Sequence, residues 1–115
     1  MAREDSLRSM YEAFNAREID QVLAALTPDV EWPNGWEGGW VIGHEQVRDY
    51  WERQWAAVDP HVEPEEISER EDGGVDVVVH QVVKDLAGQV LVDARVRHVY
   101  WFREDLVSHM EIQEG

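Results

Sequence analysis

Two side chains in the last quarter of the chain are of the types that move protons, His98 and Glu111. Imidazole titrates near neutrality and a carboxylate beside it fixes its tautomer, so the pair in an apolar cavity makes a general acid/base unit. Strand alternation brings them within reach. Over 90–102, Ala94, Val96, His98, Tyr100 and Phe102 share one face, and Asp93, Arg95, Arg97, Val99 and Trp101 share the other. Over 106–113, Val107, His109, Glu111 and Gln113 lie together, opposite Ser108, Met110 and Ile112. A tight turn at Glu104-Asp105 makes these runs a hairpin in which His98 approaches Glu111. The same residues also suit a polar core edge, where His98 is hydrogen-bonded and does no chemistry.

The aromatic residues supply the cavity. Of six Trp, five (Trp32, Trp36, Trp40, Trp51 and Trp55) fall within 32–55. Trp51 and Trp55 have helical spacing and belong first to a core face, with Tyr50 and Trp55 also reaching the pocket. Trp36 and Trp40 sit in or beside a Gly-rich loop, at a pocket mouth or a dimer contact. With Trp32 they outline a cavity for a flat, apolar molecule, where Asn34 and Tyr100 can donate hydrogen bonds. His80, between Val78 and Val82, and His109 complete the expected lining. His44 suits a helix N-terminus and His61 a Pro-flanked loop, and the five His make no HExxH or other short ligand spacing. Neither a metal nor a cofactor is expected. No Gly-rich phosphate loop or nucleophile elbow is visible, and the absence of Cys removes thiolate chemistry.

Charge narrows the partners. The 115 residues carry 25 acids against 10 bases, a formal charge of −15, which repels phosphate backbones and anionic lipid. Nucleic-acid and membrane-surface roles are therefore excluded, leaving an apolar small molecule or protein partners. The start, Met1-Ala2-Arg3-Glu4-Asp5, leads into no apolar signal segment, and no apolar run nears the ~20 residues that span a bilayer. A cytoplasmic location is expected. With 43% hydrophobic residues, the chain can fill one core, read as one domain over 1–115.

The elements that position these residues follow from periodicity. Asp5 or Ser6 caps a first helix whose stripe is Leu7, Met10, Tyr11 and Phe14. A second helix turns Ile19, Val22, Leu23 and Leu26 inward and stops at Thr27-Pro28-Asp29. Short strands are expected at 30–32 and 40–42, and a third helix at 45–58 with Val47, Tyr50, Trp51 and Trp55 on one face. Four strands follow, at 61–71, 75–84, 90–102 and 106–113. Helices first and a meander last predict an α+β fold. In the second of these strands Val77, Val79 and Val83 oppose Val78 and Val82, so both faces want cover. Three helices shield one, and a homodimer through the outer sheet face is expected to shield the other.

The order of four segments carries a family resemblance: Tyr11-Glu12-Ala13-Phe14-Asn15-Ala16-Arg17-Glu18-Ile19-Asp20, Asp29-Val30-Glu31-Trp32, the helix entry over 43–51, and Leu106-Val107-Ser108-His109-Met110-Glu111-Ile112. The chain resembles the SnoaL-like branch of the nuclear transport factor 2-like superfamily over nearly its whole length. The resemblance implies a cone-shaped, curved, mostly antiparallel sheet wrapped around a pocket, closed by three helices from the N-terminal half, and a dimer. That fold hosts polyketide cyclases, ketosteroid isomerase, dehydratases, epoxide hydrolases and non-catalytic binders. The isomerase's base falls near Asn34, its oxyanion Tyr near Met10 and its protonated Asp near His98, so that mechanism is not expected. The cyclases' His on the penultimate strand and acid on the last are matched by His98 and by Glu111 in His109-Met110-Glu111. Two functions are expected in consequence: cofactor-independent cyclase- or isomerase-type chemistry by His98 and Glu111, or non-catalytic ligand binding or dimerisation.

Overall fold

The computed structural model describes residues 2–34 and 38–114. Helix α1 (Ala2–Asn15) starts ahead of the expected cap, with Asp5 and Ser6 inside it, and carries the predicted stripe, burying Leu7, Met10, Tyr11 and Ala13 while Arg8, Ser9 and Glu12 face solvent. Its end is a Schellman turn: the Glu18 amide donates to Ala13 O at 2.8 Å and the Arg17 amide to Phe14 O at 3.1 Å. The left-handed position in that turn usually needs glycine, yet Arg17 holds it at φ 64°. The Arg17 guanidinium compensates, donating to Phe14 O at 3.1 Å, to Pro60 O at 2.8 Å and to the Asp59 carboxylate, and lying over the Trp55 ring at 5.1 Å.

Helix α2 (Ile19–Leu23) is shorter than its pattern predicts. Leu26 belongs to strand β1 (Leu26–Pro33), not to the helix. Pro28 has no amide to extend a helix and disfavours helix at Thr27, and the Val107 amide captures Ala25 O at 2.9 Å, drawing the chain into the sheet. Strand β2 (Trp40–Ile42) pairs antiparallel with β1, and Gly43, at φ 82°, turns it directly into α3 (Gly43–Ala57). Helix α3 buries Val47, Tyr50 and Trp51.

The four strands of the meander are β3 (Val58–Glu69), β4 (Val75–Asp85), β5 (Val90–Arg103) and β6 (Leu106–Glu114). β3 begins before Pro60 because it is the outermost strand, where proline costs no central ladder bond. The single six-stranded sheet runs β2-β1-β6-β5-β4-β3, with β1 and β6 parallel and every other pair antiparallel. The result is the expected α+β architecture, with three helices against a mixed, curled sheet. On the helix-facing side, Val75, Val77, Val79, Tyr100 and Met110 join Leu7, Val47 and Trp51 in the core. The other face satisfies its own charges: Arg95 pairs with Glu65 at 2.7 Å and His80 with Asp93 at 2.6 Å, beside half-buried Val78 and Val82.

Arg17 links α1 to the start of β3, so its substitution reads that link. Arg17→Ala keeps the left-handed strain and loses every anchor, with an expected cost of about 2 kcal/mol. Arg17→Gly relieves the strain and costs less, a ranking that urea unfolding midpoints of the two variants check.

Candidate functional site

Between the sheet and helices α1 and α3 lies a cavity of about 80 Å³ that opens to solvent at its mouth. Its walls are aromatic and aliphatic: Phe14, Trp32, Trp51, Val62 and Met110. Trp32 meets Trp51 edge-on at 5.4 Å, and Phe14 meets Trp51 the same way at 5.5 Å, so each ring fixes the next. Glutamines Gln54 and Gln81 reach the lining from α3 and β4, and Ile112 from β6.

The polar group of the cavity is a trio. Tyr11 Oη stands 2.8 Å from His98 Nδ1 and 2.7 Å from Tyr100 Oη, and Tyr100 Oη is 3.4 Å from the same nitrogen. All three side chains are buried, His98 being 8% exposed. Helix α1 supplies Tyr11 and alternate positions of β5 supply the other two. Burial lowers the His98 pKa from 6.5 to about 4. Burial also raises Tyr100, and it raises Tyr11 with a further contribution from the neighbouring Tyr100 oxygen. The trio is therefore neutral at physiological pH. No Asp, Glu, Lys or Arg lines the cavity among the described residues.

A neutral trio has two arrangements of its protons. In one, Tyr100 donates to Tyr11 and Tyr11 donates to Nδ1, leaving the proton of the imidazole on Nε2. In the other, Nδ1–H donates to Tyr11, Tyr11 donates to Tyr100, and Nε2 is a bare acceptor. Reversal costs no net charge, so one site can answer either a donor or an acceptor on a bound molecule.

Glu111 is not part of this site. Around the left-handed pair Glu104 and Asp105, Arg103 faces Leu106 and Phe102 faces Val107, a register that by itself carries His98 to Glu111. A bulge between Trp101 and Phe102 interrupts it: Trp101 faces His109, so Ser108 is the extra residue, and its hydroxyl bonds Trp101 O at 3.2 Å. Beyond the bulge His98 faces Ile112 and Glu111 faces Val99, which sends the two side chains to opposite faces of the sheet. The expected His98/Glu111 pair does not form.

The remaining candidates divide between the faces. Trp32, Tyr50 and Tyr100 line the cavity with His98. Trp55 lies behind the wall, stacked on Trp51 at 6.1 Å, and Asn34 is buried outside the lining, its backbone N–H donating to Gly39 O at 2.9 Å. His80 and His109 occupy the opposite face. His109 bonds Glu31 at 3.0 Å through Nδ1 and Glu111 at 3.2 Å through Nε2, between the rings of Trp101 and the half-exposed Trp40. Trp36 falls outside the described residues. Tyr11 is the cavity residue that periodicity treats as core; the available signal is that a tyrosine in a buried stripe needs a partner for its hydroxyl. The resemblance placed the isomerase's oxyanion tyrosine one residue away, at Met10, which also lines the cavity.

Among the described residues no group of three or more His, Asp or Glu gathers as metal ligands, and no helix is long and apolar enough to cross a membrane.

The lowered His98 pKa has a sign. Between about 6.5 and about 4 the unfolded chain binds a proton that folded His98 refuses, so the stability present above 6.5 is lost as pH falls towards 4. The expected loss is about 3 kcal/mol in all. Urea midpoints across that range, compared with those of His98→Gln, check it: the variant keeps the general acid sensitivity of the chain and lacks this component.

Comparison with known proteins places this geometry. The SnoaL-like domain model matches residues 7–110. Among curated proteins no sequence matches. A nuclear transport factor 2-like protein of unknown function from Burkholderia pseudomallei superposes with TM-score 0.86 at 24% identity, over 100% of this chain and 92% of its own. TerC, co-crystallised with polyporic acid, matches with TM-score 0.86 at 23% identity, over 100% of this chain and 92% of that one. A Mycobacterium tuberculosis protein in complex with estradiol-17β-hemisuccinate matches with TM-score 0.82 at 18% identity, over 96% and 92%. At these identities the likeness is one of fold, which putative polyketide cyclases such as one from Xanthomonas campestris share at TM-score 0.78. With the helices, the curled sheet and the family model in agreement, the chain belongs to the SnoaL-like domain family.

Proposed function

We propose that this chain binds a flat, mainly apolar small molecule and holds its carbonyl or hydroxyl group on the Tyr11–His98–Tyr100 trio. The observation that carries the reading is the trio itself: neutral, mutually hydrogen-bonded polar groups in a cavity otherwise lined by aromatic and aliphatic side chains. Polyporic acid and estradiol-17β-hemisuccinate, bound by proteins of this fold, support it by analogy.

The two-way proton chain favours a second reading, cofactor-independent enolisation. With Nε2 bare and Tyr100 donating to a substrate carbonyl, Nε2 takes the proton from the α carbon. The Nδ1 proton passes to Tyr11, that of Tyr11 to Tyr100, and that of Tyr100 to the carbonyl oxygen, so a ketone becomes its enol and no charge is left behind. Glu111 has no part in this step.

Trp fluorescence titrations with α-naphthol and with naphthalene test the binding reading. α-Naphthol should bind about tenfold more tightly than naphthalene, and Tyr11→Phe should remove that difference by breaking the chain between His98 and Tyr100, which then turn to each other rather than to the ligand. Equal affinities for the two in the unaltered protein would sink it. Solvent deuterium entering β-tetralone tests enolisation: exchange above background that Tyr11→Phe abolishes is expected, and background exchange in the unaltered protein rejects it.

We also propose a homodimer through the outer sheet face. Val78 and Val82 would be covered between the Arg95–Glu65 and His80–Asp93 pairs, giving a polar interface. Sedimentation at micromolar concentration should read twice 13.4 kDa; a mass of 13.4 kDa refutes it.

A further inference from the structure

The face of β5 that carries Tyr100 and His98 does not end at the cavity. Alternation continues it through Val96, Ala94 and Val92, and the register with β4 is unbroken from the Val75–Tyr100 pair to the Val83–Val92 pair. Gln81, which lines the cavity, stands opposite Ala94; Pro60, which also lines it, stands opposite Val83. The wall of the cavity thus runs without a break into the next pair of residues outward.

Exposure changes along this line. Tyr100 and His98 are buried, Val96 is half-buried, and Ala94 and Val92 are exposed, Val92 at 43%. On β6, Ile112 lines the cavity and is itself 42% exposed, which marks it as part of the mouth. A strip of valine, alanine and isoleucine therefore leads from the polar trio, past the mouth, towards the turn of the β4–β5 hairpin. Valines in such a place gain nothing from water, and a narrow apolar strip joined to an apolar cavity is the shape left for one continuous ligand.

We infer that the ligand of this cavity is amphipathic in a particular sense: a flat head bearing a carbonyl or hydroxyl, and an uncharged alkyl or isoprenoid-like tail that leaves through the mouth and lies along Val96, Ala94 and Val92. The tail is uncharged because the strip of Val96, Ala94 and Val92 offers no charged group to pair with it, and a chain of formal charge −15 repels anions in particular. This deepens the binding reading above and rests on it.

Head and tail are tested separately with α-naphthol and its butyl and dodecyl homologues alkylated para to the hydroxyl; at about 3.3 Å per strand residue Val92 lies roughly 20 Å from His98, within reach of the dodecyl chain only. α-Naphthol alone reports the head. Affinity should then rise about twofold per methylene, half of what full burial provides, and so about tenfold or more for the butyl homologue and further for the dodecyl one. Val92→Asp, at an exposed position, should remove the gain of the dodecyl homologue over the butyl one and leave α-naphthol binding as it was. If α-naphthol binds and the alkyl series shows no gain, the tail site is wrong while the head reading stands. A dodecyl gain that Val92→Asp leaves intact also overturns the tail site, since the chain would then lie elsewhere. So does a dimer that Val92→Asp splits, which would give this strip to a second copy. Failure of the whole series to bind sinks the head reading instead.

Discussion

A tyrosine hydroxyl carried into an apolar core must find a partner or cost the fold free energy, and in this chain the partner is an imidazole held in its neutral form. Tyr11 sits in the apolar stripe of α1, so burying that stripe brings its oxygen to the sheet. There His98 and Tyr100, two residues apart on β5, meet it. The seating of α1, the protonation state of His98 and the polarity of the cavity floor are thus set together. Moving α1 along the sheet would break both short bonds of Tyr11 at once and leave His98 and Tyr100 only their longer contact with each other, which makes the trio a positional lock as well as a site.

The elements were legible because their signals are local. The stripe of α1, the β-branched run of β4 and the turns flanking β5 each depend on neighbours within a few residues, and the order of the β3–β6 meander follows from short connections. The cavity's occupants were less legible. One extra residue, Ser108, sets which residue of β6 faces His98, and nothing in the type of Ser108 distinguishes a bulge from continued pairing. That single unit of register exchanges Glu111 for Ile112 opposite His98. Leu26 shows the same limit at the other end of the sheet: its helical spacing is real, but the parallel partner that draws it into β1 lies eighty residues on, at Val107.

The tryptophans illustrate how composition sorts by face. Trp32 and Trp51 form the wall of the cavity and Trp55 buttresses it from behind. Trp40 crosses to the other side of the sheet, where with Trp101 it flanks His109 between two carboxylates. Aromatic residues close together in sequence therefore serve two environments, because β1 and β2 present alternate positions to opposite sides of the sheet while α3 packs on one side only.

The division of charge between those two sides has a consequence for behaviour in solution. All the formal charge lies outside the cavity lining among the described residues, and the trio inside is neutral. Transfer of an uncharged molecule into such a cavity displaces no counterions, so its affinity should be nearly indifferent to ionic strength although the protein is strongly acidic. Association of two copies is the reverse case. Their like charges repel at low salt and are screened as salt rises, so ionic strength acts on assembly while leaving occupancy alone.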